Sequence, residues 1–379
     1  MVRTLPRAAV CADAARNALL PIPSGSASTS LARALRDGKP ASEAASGSVS
    51  LSWEMDLFGK IAAQRDAAAF EARATAEDLD AAALALVGTT ANLYWQIAFA
   101  NERIVLAEQS LTYSRRTQEL VETQYRAGAV SRLERQEVVQ SVAAQESALQ
   151  QLIQTRTETR EALGVLLNGT PSLVAEGKAL SAAPLPPVAP GIPAELLGRR
   201  PDLRAAELRL RRTLANGDAT RFSYYPALTL TGSLGGSSTA LFNVLANPIA
   251  TLGAGLALPF LNMQAMRFDT AIARTQTEEA VVLFRKSLYT ALAEVENALS
   301  ARMTLAAQGE ALQRSRDAAA EAERLYEVRY RAGSVPLRTW LDAQERRRSA
   351  EVALAANRLA RLQNHVTLHQ TIGGSFGTR

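Results

Sequence analysis

His365 and His369 stand four residues apart near the end of a predicted helix, so both imidazoles fall on one face, a spacing compatible with metal ligation. No Cys, Asp or Glu accompanies them at ligand spacing, and they read as surface or helix-end histidines. Cys11 is the only cysteine, which excludes an intramolecular disulfide. No catalytic constellation, glycine-rich phosphate loop or nucleophile motif is present, so neither an enzyme nor a bound cofactor or metal is expected. The run Arg346, Arg347, Arg348 reads as a solvated helix face. With a net charge of +5 and arginines spread along helical segments without clustered aromatics, no nucleic-acid partner is expected.

What does recur is YRAG, at 125–128 and at 330–333, an offset of 205. The same offset sets Asp13 on Asp218, Arg16 on Arg221, Pro21 on Pro226 and Leu51 on Leu256. Downstream it sets Glu146, Leu149, Arg156, Leu163 and Gly169 on Glu351, Leu354, Arg361, Leu368 and Gly374. The chain is therefore two copies of one long unit, and a repeat of this size dictates the architecture. A proline-rich linker at 170–193 joins the first repeat, 1–169, to the second, 194–374, and a tail follows at 375–379.

Each copy pairs strands with very long helices. From Lys60 to Thr123 there is no proline and one glycine, Gly88, among good helix formers, a segment that would reach roughly 90 Å at ~1.5 Å per residue. Glycine takes the left-handed conformation at little cost, so YRAG ends this helix and a second helical run follows. The expected helices lie at about 59–126 and 132–165, then at about 265–330 and 337–370. Small residues such as Ala68, Ala69, Ala81, Ala82, Ala83 and Ala85 suggest close contact on more than one face, and no heptad seam is sustained. Ahead of the first rod, Val49, Leu51, Trp53, Met55 and Leu57 alternate strictly with polar residues, the pattern of a strand with one apolar face. Strands are expected at about 20–30, 47–58, 226–235 and 250–260, and a length near ten residues fits a bilayer-spanning barrel strand. No window approaches the ~18 to 20 apolar residues of a transmembrane helix, and MVRTLPRAAVC lacks the apolar core of a secretory signal.

The two-copy layout, RRPDLRAAELRL at 199–210, YYPALTLTGSLG at 224–235, SLSWEMDLFGK at 50–60 and both YRAG tips resemble the TolC-type outer-membrane channels, more narrowly their NodT and OprM branch. The resemblance covers about residues 12–374. It implies a mainly α fold with transmembrane β: a homotrimer whose protomers each give four strands to one β-barrel and long helices to one periplasmic α-barrel. It further implies a passive efflux duct in the Gram-negative outer membrane, in contact with its lipid, a periplasmic adaptor, and an inner-membrane pump of the resistance-nodulation-division type. Pro201 and Asp202 then open a helix, the acid near its positive end. The branch carries a signal peptide and a lipidated cysteine ahead of its first helix. Aligning the copies places Met1 inside that helix and Cys11 opposite Asn216, so the start is expected to lie downstream of the natural one.

The resemblance also implies a constriction where the hairpin tips converge, lined by Tyr330, Arg331 and Asp342. Three Asp342 carboxylates around a threefold axis would repel one another and attract cations. The other reading, in which Asp342 caps or pairs on a helix surface, stays open. Glu134 and Glu137, the latter opposite Asp342, belong to the first tip and would add to a negative lining. Gly128, Ala129 and Val130, with Gly333, Ser334 and Val335, would form turns that meet the adaptor. An exit duct for protein secretion shares this fold, and a soluble helical scaffold is the rival of another class. A scaffold has no use for SVSLSWEMDLF.

Overall fold

The computed structural model describes residues 4–32, 42–169, 176–181, 185–186, 198–239, 246 and 248–374. Most of the 170–193 linker and the tail lie outside them. Two compact units emerge, one from residues 1–81 with 201–289, the other from 82–200 with 290–379.

The first unit contains α1 (Thr4–Asn17), β1 (Ile22–Ala32), β2 (Ser42–Met55), α4 (Pro201–Phe222), β3 (Ala227–Ser238) and β4 (Ile249–Ala257). It also holds the start of α2 (Lys60–Arg126) and of α5 (Met263–Arg331). The strands pair antiparallel in the order β1-β2-β3-β4. Opposed residues share a face, so the register sorts the sheet cleanly. Val49, Leu51, Trp53 and Met55 of β2 lie opposite Leu234, Gly232, Leu230 and Leu228 of β3. Ala250, Leu252, Ala254 and Leu256 of β4 continue that face. The other face is built of hydroxyls: Ser24, Ser26 and Ser28 of β1 bond Ser50, Ser48 and Ser46 at 2.7, 3.0 and 2.8 Å.

β2 begins earlier than residue 47 and stops short of residue 58. Its end is set by Asp56, whose carboxylate accepts from the amides of Ile61 (3.1 Å) and Ala62 (2.8 Å) at the start of α2. A carboxylate there satisfies amides that have no intrahelical partner and favours the positive end of the dipole. Gly59, at φ +84°, turns the chain between them. α4 opens on Pro201 with Asp202 in its first turn and is tied to α2 by Arg204–Glu77 and Arg212–Glu71, each 2.7 Å, and by Arg209–Asp78. Cys11 is exposed in mid-α1.

The second unit holds the remainder of α2 and α5 with α3 (Arg132–Leu166) and α6 (Leu337–Thr371). Gly88 is buried where a Cβ would stand 1.9 Å from Gln370 Nε2, whose amide donates to Leu84 O at 3.3 Å. The glycine in the rod is thus the crossing point of α2 and α6. Asn357 and Asn364, two turns apart on α6, donate to Leu305 O (3.1 Å) and Ala298 O (2.9 Å) of α5, fixing the sliding register of that pair. Ala83 and Ala85 are exposed, alongside Leu86 and Val87, so this stretch of α2 keeps an uncovered apolar face.

Candidate functional site

Both YRAG turns adopt one geometry. The amides of Gly128 and Ala129 donate to Tyr125 O (3.0 Å) and Gln124 O (2.9 Å). Those of Gly333 and Ser334 donate to Tyr330 O (2.9 Å) and Arg329 O (2.9 Å). These are paired Schellman caps, with the glycines at φ +74° and +72°. Ser131 then caps α3: its amide donates to Glu134 Oε2 at 2.8 Å and its hydroxyl accepts from the Glu134 amide at 3.4 Å.

The two tips lie side by side over one apolar hub of Val121, Val138, Tyr330, Leu337 and Trp340. Val130 and Val335 pack against that hub and are half-buried, while Gly128, Ala129, Gly333 and Ser334 are exposed. Tyr330 is 8% exposed, and its hydroxyl donates to Gln124 Oε1 of the neighbouring hairpin at 2.7 Å. Burial, and then Glu134 nearby, raise its pKa. Tyr330 thus belongs to the tip's core and not to its surface. Arg331 is exposed and pairs with Glu327 at 2.6 Å. Glu327 also accepts from the Tyr113 hydroxyl at 3.0 Å, and burial, then Glu327 and Glu323, push that phenol far above its ordinary value.

The tyrosines of the two tips are covered by residues at matching positions. Trp340 stacks on Tyr330 with centroids 5.1 Å apart. In the first repeat Arg135 holds that place, its guanidinium 5.2 Å from the Tyr125 ring and bonded to Glu122 at 2.8 Å. Asp342 is exposed and makes no hydrogen bond or ion pair among the described residues. Glu137 is half-buried and likewise unpaired, whereas Glu134 is engaged in the cap.

Two further features had no motif to announce them. Within the linker, Glu176 accepts from Arg160 at 2.5 Å and Asn101 at 3.4 Å, and the Leu180 amide donates to Glu102 at 3.1 Å. Leu180 is buried against Ala98 and Leu362, so this short segment straps α2, α3 and α6 together. The Arg160 hydrogen bond holds the Glu176 carboxyl below its ordinary range. Where strands meet helices, Phe58 lies 5.1 Å from Tyr225 and Trp53 Nε1 donates to Leu19 O at 3.0 Å, forming a local group of aromatics. His365 and His369 are half-buried in edge contact at 4.6 Å. Burial, His369 and Arg302 lower the His365 pKa, and among the described residues no cluster of metal-ligating groups exists.

A model of the outer membrane efflux protein family matches residues 6–169 and 192–374. The chain is 32% identical over 330 residues to the pyoverdine export outer membrane protein OpmQ of Pseudomonas putida, covering 86% of this chain and 70% of that protein. It is 29% identical over 334 residues to the toluene efflux pump outer membrane protein TtgC of Pseudomonas putida, covering 86% and 68%. Among solved structures, the open state of the Neisseria gonorrhoeae MtrE outer membrane channel superposes with a TM-score of 0.84 at 27% identity, covering 98% of this chain and 85% of that one.

Proposed function

This chain belongs to the outer membrane efflux protein family, and on that premise we propose that it is the outer-membrane channel of a tripartite efflux system, a passive duct for small molecules. In this reading three copies each contribute one four-stranded sheet to a common barrel and their long helices to a common periplasmic tunnel.

The sheet carries the proposal. Among the described residues β1 and β4 each leave one edge unpaired, while Val49, Leu51, Leu234 and Leu256 are exposed on one face and Leu252 is 92% exposed. Lipid offers no hydrogen bonds to a free strand edge, so a sheet that enters it must close on neighbouring copies. The apolar face then meets lipid and the hydroxyl face borders water. Trp53, Phe58 and Tyr225 stand where an interfacial aromatic belt belongs.

At the tips we assign the constriction to Asp342, a free exposed carboxylate, with Glu137 at the matching position of the first repeat. Tyr330, buried beneath Trp340, holds α6 in place from within the tip, and the exposed Arg331 stands with Asp342 at the opening. The exposed Gly128, Ala129, Gly333 and Ser334 receive a periplasmic adaptor, with Val130 and Val335 supporting them from beneath. Energy comes from an inner-membrane pump of the resistance-nodulation-division type. The names of two relatives specify pyoverdine and toluene, different cargos, which suits a conduit that passes on what a pump delivers.

The test is reconstitution of the full chain into planar bilayers, with chemical cross-linking in detergent. A cross-linked trimer and stepwise conductance are expected. A monomer that leaves bilayers silent would refute the duct.

A further inference from the structure

The docking surface just assigned has a chemistry of its own. From Tyr125 to Leu133 and from Val328 to Leu341 the only charged residues are Arg126, Arg132, Arg329, Arg331 and Arg338. No acid interrupts either stretch. Two of the five are paired with an acid one turn back, Arg126 with Glu122 at 3.4 Å, which Arg135 shares, and Arg331 with Glu327 at 2.6 Å. Arg132, Arg329 and Arg338 are exposed and make no ion pair among the described residues. The nearest acid along α3, Glu134, is held in the Ser131 cap.

These guanidiniums surround a surface that is otherwise small and open. A Cβ built on Gly128 or Gly333 meets nothing within 4 Å, so a partner's backbone can approach both turns closely. The shared hub and the Tyr330–Gln124 hydrogen bond hold the turns in one fixed spacing. A rigid surface whose turns carry three free arginines, against the single exposed carboxylate of Asp342 just beyond them on α6, selects by charge, since a like-charged partner is repelled while carboxylates gain bidentate partners.

We infer that the adaptor recognised here is a helical hairpin whose own turn presents carboxylates, and that Arg132, Arg329 and Arg338 read them. The inference rests on the tips being the adaptor-docking site. Exposed ion pairs are individually weak, so recognition of this kind is reversible and sensitive to salt. It favours capture of the right partner more than a permanent bond.

Three synthetic helical hairpins of one scaffold, with turns carrying three Glu, three Gln or three Lys, provide the test. Each is titrated against the detergent-solubilised full chain by fluorescence anisotropy at low and at ~0.5 M salt. The Glu hairpin is expected to bind at least about fivefold more tightly than the Gln hairpin at low salt, the Lys hairpin most weakly, with the difference collapsing at high salt. The exposed triple variant Arg132→Gln, Arg329→Gln, Arg338→Gln should erase the preference while leaving the circular dichroism unchanged. Equal binding of Glu and Gln hairpins overturns the charge recognition and leaves tip docking standing. Failure of all three hairpins to bind overturns tip docking and, with it, this inference.

Discussion

Trp340 and Arg135 occupy the same place in two copies of one hairpin, and replacing each by alanine should have very different costs. Trp340 is 2% exposed, stacks on Tyr330 at 5.1 Å and meets the Tyr113 ring edge-on at 6.2 Å. Its indole nitrogen is buried with no hydrogen-bond partner among the described residues, so truncation there loses packing. Removing a buried aromatic of that size costs about 3 to 5 kcal/mol. Arg135 is partly exposed, and its two contacts are an ion pair with Glu122 and the face of Tyr125. Such contacts are worth about 0.2 to 1 kcal/mol and about 0.5 to 1 kcal/mol near a surface. The gap of at least about 1 kcal/mol, and centrally nearer 3, is more than a hundredfold at the upper end in local opening equilibrium. Hydrogen exchange read on peptides from 113–140 and 326–343 measures it directly. Trp340→Ala should accelerate exchange across both tips, because the hub is shared; Arg135→Ala should act weakly and on the first tip alone. Equal acceleration by the two variants would refute the shared-hub account.

Asp342→Ala should raise single-channel conductance and reduce cation preference in planar bilayers; unchanged values would remove Asp342 from the constriction. On the sheet, Val49→Arg should lower the yield of membrane-inserted protein, since a cation on a lipid face costs about 2 to 4 kcal/mol at mid-depth, whereas Ser48→Arg on the hydroxyl face should insert normally. Equal yields from the two would assign the faces wrongly. Glu176 has a depressed folded pKa, so its contribution is present above the unfolded carboxyl value and lost as pH falls through the folded one. The thermal midpoint of the native protein should therefore converge on that of Glu176→Gln as pH drops from about 6 to about 3, and a constant separation would contradict the strap.

What could be read beforehand follows from how local each signal is. The YRAG turns were legible because a left-handed glycine after a helix is a local backbone requirement, and it is met at Gly128 and Gly333. β2 was legible because Val49, Leu51 and Trp53 alternate with serines, a pattern created by one apolar face. β1 gives little local signal, since IPSGSASTSLA has little apolar alternation; its order comes from serine partners twenty or so residues away, which no local window contains. The burial of Tyr330 was hidden for a similar reason. It depends on Trp340 of the following helix and Gln124 of the other repeat, so a conspicuous aromatic at a turn reads as surface until both are in place. The strap was hidden because proline-rich composition announces only extended backbone and carries no record of what Glu176 and Leu180 touch.

The open edges of β1 and β4 reach beyond geometry to kinetics and inheritance. In the proposed trimer, a protomer whose two sheet borders are unpaired among the described residues would reach its lowest free energy only by closing on its neighbours, so insertion should be a concentration-dependent event and waiting subunits are prone to mispair. A damaged copy that keeps its borders intact would still enter the ring and spoil its healthy companions. Co-expressing a crippled subunit should then depress export more steeply than its share of the pool, the dominance expected when subunits complete one another's sheets.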